Sequence, residues 1–195
     1  MTDEQLLIDR ARNGDERSFR ELVERSKINV YRLAYDLTGN RSDAEDISQD
    51  VFVRAYRALP GFRGDSKWST WLYRITLNIC MDHKRTMKRR PITSPGVEID
   101  ETLRDNHPPG TPGPDQSAES ALLRQYIQRA LTSLTHQERT VFILRHYHDL
   151  TLKQIAETMQ IADGTVKSYL FRAIQRLRKE LAPLRGDAGL KEAIS

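Results

Sequence analysis

Apolar residues along the chain recur at three- and four-residue intervals, and no stretch keeps the period of two that a half-buried strand requires. Leu6, Leu7, Ile8 and Ala11 begin a first helix that closes near Asn13-Gly14. A second carries Phe19, Leu22, Val23, Val30, Ala34 and Leu37 and stops at Gly39-Asn40. Ser42 is placed to cap a third, in which Ile47, Val51, Ala55 and Leu59 fall four apart on one face. Pro60-Gly61 ends that helix. The loop Phe62-Arg63-Gly64-Asp65-Ser66 follows, then a long helix holding Trp71, Leu72, Ile75 and Ile79.

The C-terminal part repeats the helical pattern with sharper punctuation. A helix starting at Ser117 or a neighbour carries Leu122, Leu123, Ile127, Ala130, Leu131 and Leu134. Thr135-His136-Gln137-Glu138 reads as a capping box, in which hydroxyl and carboxylate satisfy each other's orphan backbone donors. Thr151-Leu152-Lys153-Gln154 is a second box of that kind, opening a short helix with Ile155, Ala156 and Met159. A turn around Ile161-Ala162-Asp163-Gly164 leads into a last helix from Thr165 through Val166, Leu170, Ala173, Ile174, Leu177 and Leu181. A short helix, a tight turn and a longer helix make a helix-turn-helix, with Ala156 small enough for close approach.

Composition adds a boundary. Six of the eight prolines lie between Pro91 and Pro114, in a stretch with four apolar residues, Ile92, Val97, Ile99 and Leu103. Such a segment buries too little to offset its ordering entropy and is expected to be a flexible linker. Charge follows the same division: +4 over residues 1–90, −4 over 91–117 and +4 over 118–195. The predicted fold is therefore all-α, with two small helical domains, 1–90 and 118–183, an acidic Pro/Gly-rich linker, 91–117, and a tail, 184–195. No apolar run exceeds the four residues Val141-Phe142-Ile143-Leu144, far short of the ~20 of a membrane span, so no direct membrane insertion is expected. The acidic N-terminus lacks the features of a secretory signal, which predicts a cytoplasmic protein. One cysteine, Cys80, excludes an internal disulfide framework and a cysteine-clustered zinc site. It sits in a predicted helix beside Ile79 and Met81 and reads as buried and inert.

Three segments carry candidate chemistry. The last helix holds Lys167, Arg172, Arg176, Arg178 and Lys179 within residues 165–179, and no acid. A cationic helix of that width fits the major groove, with its N-terminal portion reading bases and its distal cations meeting phosphates. The third helix instead places Asp43, Asp46 and Asp50 at i, i+3 and i+7 with Gln49 beside them. The helix dipole accounts for Asp43 and Glu45 in the first turn. The face carrying Asp46, Gln49 and Asp50 would be repelled by DNA and suits a basic protein partner. Between the two lies Phe62 to Asn78, rich in aromatics and hydroxyls, followed by Lys84, Arg85, Lys88, Arg89 and Arg90. Aromatic surface beside a cationic track is what single-stranded nucleic acid requires. Trp71 continues the apolar face of Leu72 and Ile75 and is expected in the core, which leaves Phe62 and Trp68 as the expected exposed stacking residues.

These segments resemble a known family. Asp43-Ala44-Glu45-Asp46-Ile47-Ser48-Gln49-Asp50-Val51-Phe52-Val53-Arg54-Ala55-Tyr56, Thr70-Trp71-Leu72-Tyr73-Arg74-Ile75-Thr76-Leu77-Asn78 and Gly164-Thr165-Val166-Lys167-Ser168-Tyr169-Leu170-Phe171-Arg172 stand in the order and spacing of the extracytoplasmic-function (group IV) sigma factors of bacterial RNA polymerase, envelope-stress type. The resemblance spans roughly residues 5–183. It implies that Asp46, Gln49 and Asp50 dock on the β′ coiled coil of core polymerase, with the β flap as a further contact. It implies that Phe62, Ser66, Lys67, Trp68 and Asn78, followed by Lys84 and Arg85, meet the minus-ten promoter element and capture a flipped base. Lys167, Ser168, Phe171, Arg172 and Arg176 would read the minus-thirty-five element. An anti-sigma factor is implied as a further partner, and the linker would thread toward the polymerase channels. Lys67, Trp68 and Tyr169 stand where members vary, so no promoter sequence transfers.

Two other classes compete. A self-sufficient helix-turn-helix regulator would suit residues 134–167, although such a protein usually carries a sheet-containing sensor that residues 1–90 do not suggest. An enzyme would need a site that the sequence does not assemble. His136, His146, His148 and Asp149 are the nearest to a metal set, yet His146 and His148 stand two apart and share no helix face. No metal, cofactor or catalytic residue is therefore expected.

Overall fold

The computed structural model describes residues 2–89 and 130–182. The chain divides into two compact units, each treated by itself, and among the described residues both are helical with no strand.

The first unit contains α1 (Asp3–Arg12), α2 (Glu16–Thr38), α3 (Arg41–Ala58), a 3-10 turn (Leu59–Gly61) and α4 (Trp68–Arg89). Helices α1, α2 and α3 each begin where a short polar side chain satisfies an orphan N–H group. Thr2 Oγ1 accepts from Gln5 N–H at 3.3 Å, and Asp15 Oδ1 from Arg17 N–H at 3.0 Å. For α3 the cap is Asn40, not Ser42: Asn40 Oδ1 accepts from Asp43 N–H at 3.0 Å. The reason lies one residue earlier, where Gly39 takes a left-handed φ of 73° and returns its N–H to Tyr35 O at 2.7 Å. That leaves Asn40 extended and poised to start the next helix.

Helix α2 packs against α1, α3 and α4. Ala34, Ala44 and Ala55 are fully buried, and their small side chains let the helix backbones approach. Leu22, Val30, Ile47, Val51, Leu59 and Leu72 fill the space between them. Each such side chain contributes about 1.5–3 kcal/mol of transfer free energy. The core-facing residues of α3 are therefore Ala44, Ile47, Val51 and Ala55, which turns positions 46, 49 and 50 toward solvent.

The C-terminal part contains α5 (His136–His146), α6 (Leu152–Met159) and α7 (Asp163–Glu180), preceded by a helical segment ending at residue 132. Both predicted capping boxes form. Thr135 N–H donates to Glu138 Oε2 at 3.0 Å while Glu138 N–H donates to Thr135 Oγ1 at 3.4 Å. Thr151 N–H donates to Gln154 Oε1 at 2.9 Å while Gln154 N–H donates to Thr151 Oγ1 at 3.3 Å. Helix α6 ends on Gln160 at a φ of 55°, and Ile161 N–H reaches back to Ala156 O at 3.1 Å, a Schellman closure made without glycine. Because Ala162 is already extended, α7 starts at Asp163, two residues before the expected Thr165. Leu131, Leu134, Ala173 and Leu177 form a core cluster with Phe142 and Leu181 against it. The expected start of the preceding helix at Ser117, the linker 91–117 and the tail 184–195 lie outside the described residues.

Candidate functional site

Three surfaces hold the residues singled out by sequence. On α3, Asp46, Gln49 and Asp50 are all exposed, and among the described residues none of their side chains has a hydrogen bond or ion pair. Asp43 behaves differently, because it turns toward α4, where His83 Nε2 lies 3.6 Å from its Oδ1. The acidic face thus continues away from Asp43 and onto Val53 and Tyr56, both nearly half exposed. Sequence reasoning missed these two. The signal was present: 46, 49, 50, 53 and 56 are one helical face, opposite the core set 44, 47, 51 and 55. Tyr56 is steadied by an edge contact with Phe19, ring centroids 4.9 Å apart.

The second surface is the loop between the 3-10 turn and α4. Here the expectation of exposed Phe62 and Trp68 is overturned: Phe62 is 5% exposed and Trp68 2%. With Trp71 they form a closed aromatic cluster, centroid separations 5.9 Å for Phe62–Trp68, 4.8 Å for Phe62–Trp71 and 5.1 Å for Trp68–Trp71. Two contacts cause this. The 3-10 turn through Pro60-Gly61 ends with Phe62 N–H on Leu59 O at 3.0 Å, keeping Phe62 close to the bundle. Trp68 is the first residue of α4, and its indole Nε1–H donates to Ser26 Oγ on α2 at 3.0 Å. A buried indole N–H requires such a partner.

The cluster supports a pocket of about 190 Å³, lined by Gly61, Phe62, Arg63, Asp65, Ser66, Trp71 and Arg74. That is below the size of drug-sized sites. Gly64, at a φ of 78°, supplies the left-handed bend of the loop. Of the expected residues, Phe62 and Ser66 line the pocket, whereas Lys67, Trp68 and Asn78 do not. Arg63, Asp65 and Arg74 are lining residues that sequence reasoning missed. Trp71, Arg74 and Asn78 stand at i, i+3 and i+7 on α4, and Arg85 seven further on, so Asn78 and Arg85 share the helix face of two pocket residues. Lys67, Asn78, Lys84 and Arg85 are exposed. Asp82 interrupts that track, 3.6 Å from Arg85 and 3.9 Å from Arg54 in solvent-exposed pairs.

The third surface is α7. Lys167, Ser168, Phe171, Arg172 and Arg176 are all exposed, and Phe171 at 64% leaves an aromatic ring in water on a cationic helix. Ser168 Oγ–H donates to Gly164 O at 2.9 Å. The two arginines are not free. The Arg172 guanidinium lies 5.0 Å from the Tyr169 ring centre and its Nε–H donates to Ser168 O at 3.3 Å. Arg176 donates to Ser133 O at 3.3 Å. Both also approach Glu138, at 3.7 and 3.4 Å.

Elsewhere, Cys80 is buried and its thiol is pushed up to about 12 by desolvation. Among the described residues no three His, Cys, Asp or Glu side chains are grouped to hold a metal ion, and no helix is long and apolar enough to cross a membrane.

Comparison with known proteins matches both units. Residues 22–90 match the sigma-70 region 2 family and residues 124–177 match sigma-70, region 4. The RNA polymerase sigma-H factor of Pseudomonas aeruginosa is 35% identical, covering 95% of this chain and 97% of that protein. The ECF RNA polymerase sigma factor SigW of Bacillus subtilis is also 35% identical, covering 91% and 96%. The ECF sigma-E factor of Escherichia coli is 34% identical, covering 93% and 95%. Among solved structures, the sigma factor RpoE of Bartonella quintana, crystallised with the anti-sigma factor NepR, is similar at a TM-score of 0.66 and 26% identity, covering 84% of this chain and 96% of that one. Two helical units in this order, each matched to its own sigma region and together to full-length relatives, place the chain in the sigma-70 family of RNA polymerase sigma factors, among the extracytoplasmic-function members.

Proposed function

We propose that this sigma factor works as a dissociable specificity subunit, in which each of the three surfaces has one task. The exposed face of Asp46, Gln49 and Asp50 docks on core RNA polymerase. The pocket over the aromatic cluster takes a base extruded from the minus-ten element, with Phe62 and Ser66 at the pocket, Lys67 and Asn78 beside it, and Lys84 and Arg85 along the strand. Trp68 acts from beneath, as support. Helix α7 reads the minus-thirty-five element through Lys167, Ser168, Phe171, Arg172 and Arg176. The chemistry of RNA synthesis belongs to the polymerase, and this chain, acting in the cytoplasm, contributes no catalytic group or cofactor.

The unpaired acidic face is the observation that carries this reading. Opening ten or so base-pair steps costs roughly 14 kcal/mol at about 1.4 per step. A base stacked on an aromatic platform returns about 1–3 kcal/mol. A single pocket of about 190 Å³ cannot close that gap. The chain must draw on the binding energy of a larger assembly, and the face that repels DNA is the one available for it. The Bartonella relative, bound by NepR, supports an anti-sigma partner that would cover such surfaces until released.

The test is run-off transcription with core polymerase on a genomic library, comparing the native chain with Asp50→Arg. Because Asp50 is exposed and unpaired, the variant retains its helical content and melting behaviour. Promoter-specific transcripts are lost. A folded Asp50→Arg protein that transcribes normally refutes docking through α3.

A further inference from the structure

A buried carboxylate on α5 sits against α7, the helix assigned above to duplex reading. Glu138 is 2% exposed, although an ionised side chain at that depth is costly unless paired. Its Oε2 accepts from Thr135 N–H at 3.0 Å, which completes the capping box. The same oxygen lies 3.4 Å from Arg176 Nη1, and Oε1 lies 3.7 Å from Arg172 Nε. One carboxylate on α5 therefore faces two guanidinium groups on α7, and these are two of the cations assigned to minus-thirty-five recognition. Each arginine has a second restraint: Tyr169 and Ser168 O for Arg172, and Ser133 O for Arg176.

We infer that Glu138 is a positioning residue for duplex reading: its buried carboxylate holds Arg172 and Arg176 in one presentation and cancels one of their two charges. The inference rests on α7 being the duplex-facing helix. An arginine free to swing binds any phosphate within reach, which adds affinity for all sequences alike. An arginine held by a fixed carboxylate retains its unused donors in a set direction and pays less ordering entropy when a base edge meets them. The clamp thus lowers general attraction to DNA and sharpens discrimination. A cap alone would need one carboxylate oxygen; here both are engaged.

The test compares the full-length native chain, Glu138→Gln and Thr135→Ala, each assembled with core polymerase, on duplexes carrying the upstream element of a promoter it transcribes. Binding is measured across salt concentrations and against single base-pair changes. Glu138→Gln keeps an amide oxygen for the Thr135 N–H but loses the charge. Its log K against log salt becomes steeper by about 1, from ~0.9 per phosphate neutralised. Its discrimination falls at least about threefold, part of the factor that a mismatch normally costs. Thr135→Ala weakens the cap and leaves the clamp, so it melts lower with an unchanged salt slope. A folded Glu138→Gln with native slope and discrimination overturns the inference, as does a Thr135→Ala that reproduces the altered slope. A third measurement needs no variant to fold: in the native chain the Arg172 Nε–H order parameter lies above about 0.6, and a value below that marks a mobile side chain and overturns the clamp. Should the native chain fail to discriminate between duplexes at all, the reading of α7 falls and the inference with it.

Discussion

Replacing Ser26 with alanine tests how the pocket is built. Ser26 lies on α2, half-buried, and its Oγ accepts the Trp68 indole N–H at 3.0 Å across 42 residues of sequence. Trp68 itself is 2% exposed. The substitution leaves a buried donor without a partner, a loss of about 1–3 kcal/mol. Because Ser26 is only half-buried, water can take part of its place, so the lower part of that range applies, about 1–2 kcal/mol. In a unit of this size each kcal/mol lowers the melting temperature by roughly 4–8 °C. Trp68→Phe removes the donor as well as ring volume, and in that background Ser26→Ala costs under about 0.5 kcal/mol. The coupling between the two positions is therefore about 1 kcal/mol, within the range for contacting residues.

Urea unfolding followed by tryptophan fluorescence measures this directly. Both tryptophans of the chain, Trp68 and Trp71, belong to the first unit, so the signal reports that unit alone, and Trp71 remains as reporter in Trp68→Phe. Equal losses from Ser26→Ala in the two backgrounds would show that the serine acts on α2 and not through the indole. No loss in the native background would show that the bond is not formed in solution. Phe62 and Trp71 line the pocket and both touch Trp68, so the same variant loosens the pocket's floor and weakens promoter opening more than binding to core polymerase.

Two titratable groups give further outcomes. With its thiol pushed up from 9.0 to about 12, Cys80 at pH 8 has a thiolate fraction about a thousandfold below that of the unfolded chain, and alkylation by iodoacetamide is slower by a comparable factor until urea is added; rapid alkylation of the folded chain would contradict its burial. His146 is held below its usual range of 6.5 by partial burial and by Arg145, and its ring lies 4.5 Å from Phe142. The unfolded chain then binds the proton more readily, so its contribution is complete above pH 6.5 and is lost as pH falls toward the folded value. The second unit therefore melts lower at pH 5.5 than at 7.5, and His146→Gln reduces that difference; an identical difference in the variant excludes His146 as its source.

What was legible in the sequence was set by neighbours along the chain. The stops at Asn13-Gly14, Gly39-Asn40 and Pro60-Gly61 and the boxes at Thr135 and Thr151 all depend on residues within four positions of each other, and all are found. The third helix is capped by Asn40, two residues before the expected Ser42, because the left-handed Gly39 releases Asn40 for the task, a choice that depends on backbone conformation. Phe62 and Trp68 were misread for a different reason. Their environment is made by α2 and by each other, and a loop between a 3-10 turn and a helix carries no periodicity from which to infer burial. Glu138 was read as a cap alone, since Arg172 and Arg176 reach it from another helix, more than thirty residues on. Arg63, Asp65 and Arg74 likewise become pocket residues only once the loop is folded over α4.

The two units treat their functional charges in opposite ways, and the difference has a consequence for how such a subunit is used. On α3 the acids at 46 and 50 have no internal partner among the described residues, so their full charge is available to a basic surface and little ordering is needed to meet it. On α7 the arginines at 172 and 176 are already partnered, so part of their charge is spent inside the fold. In the proposed division of work, the first arrangement favours capture of the polymerase, while the second restrains attraction to DNA at large. On that proposed division, the chain gains its hold on a promoter mainly after joining the polymerase, because only then would the pocket and α7 act with the assembly's binding energy behind them. A sigma factor that bound DNA strongly alone would occupy promoters without polymerase and block them; partnering the arginines of α7 works against that outcome.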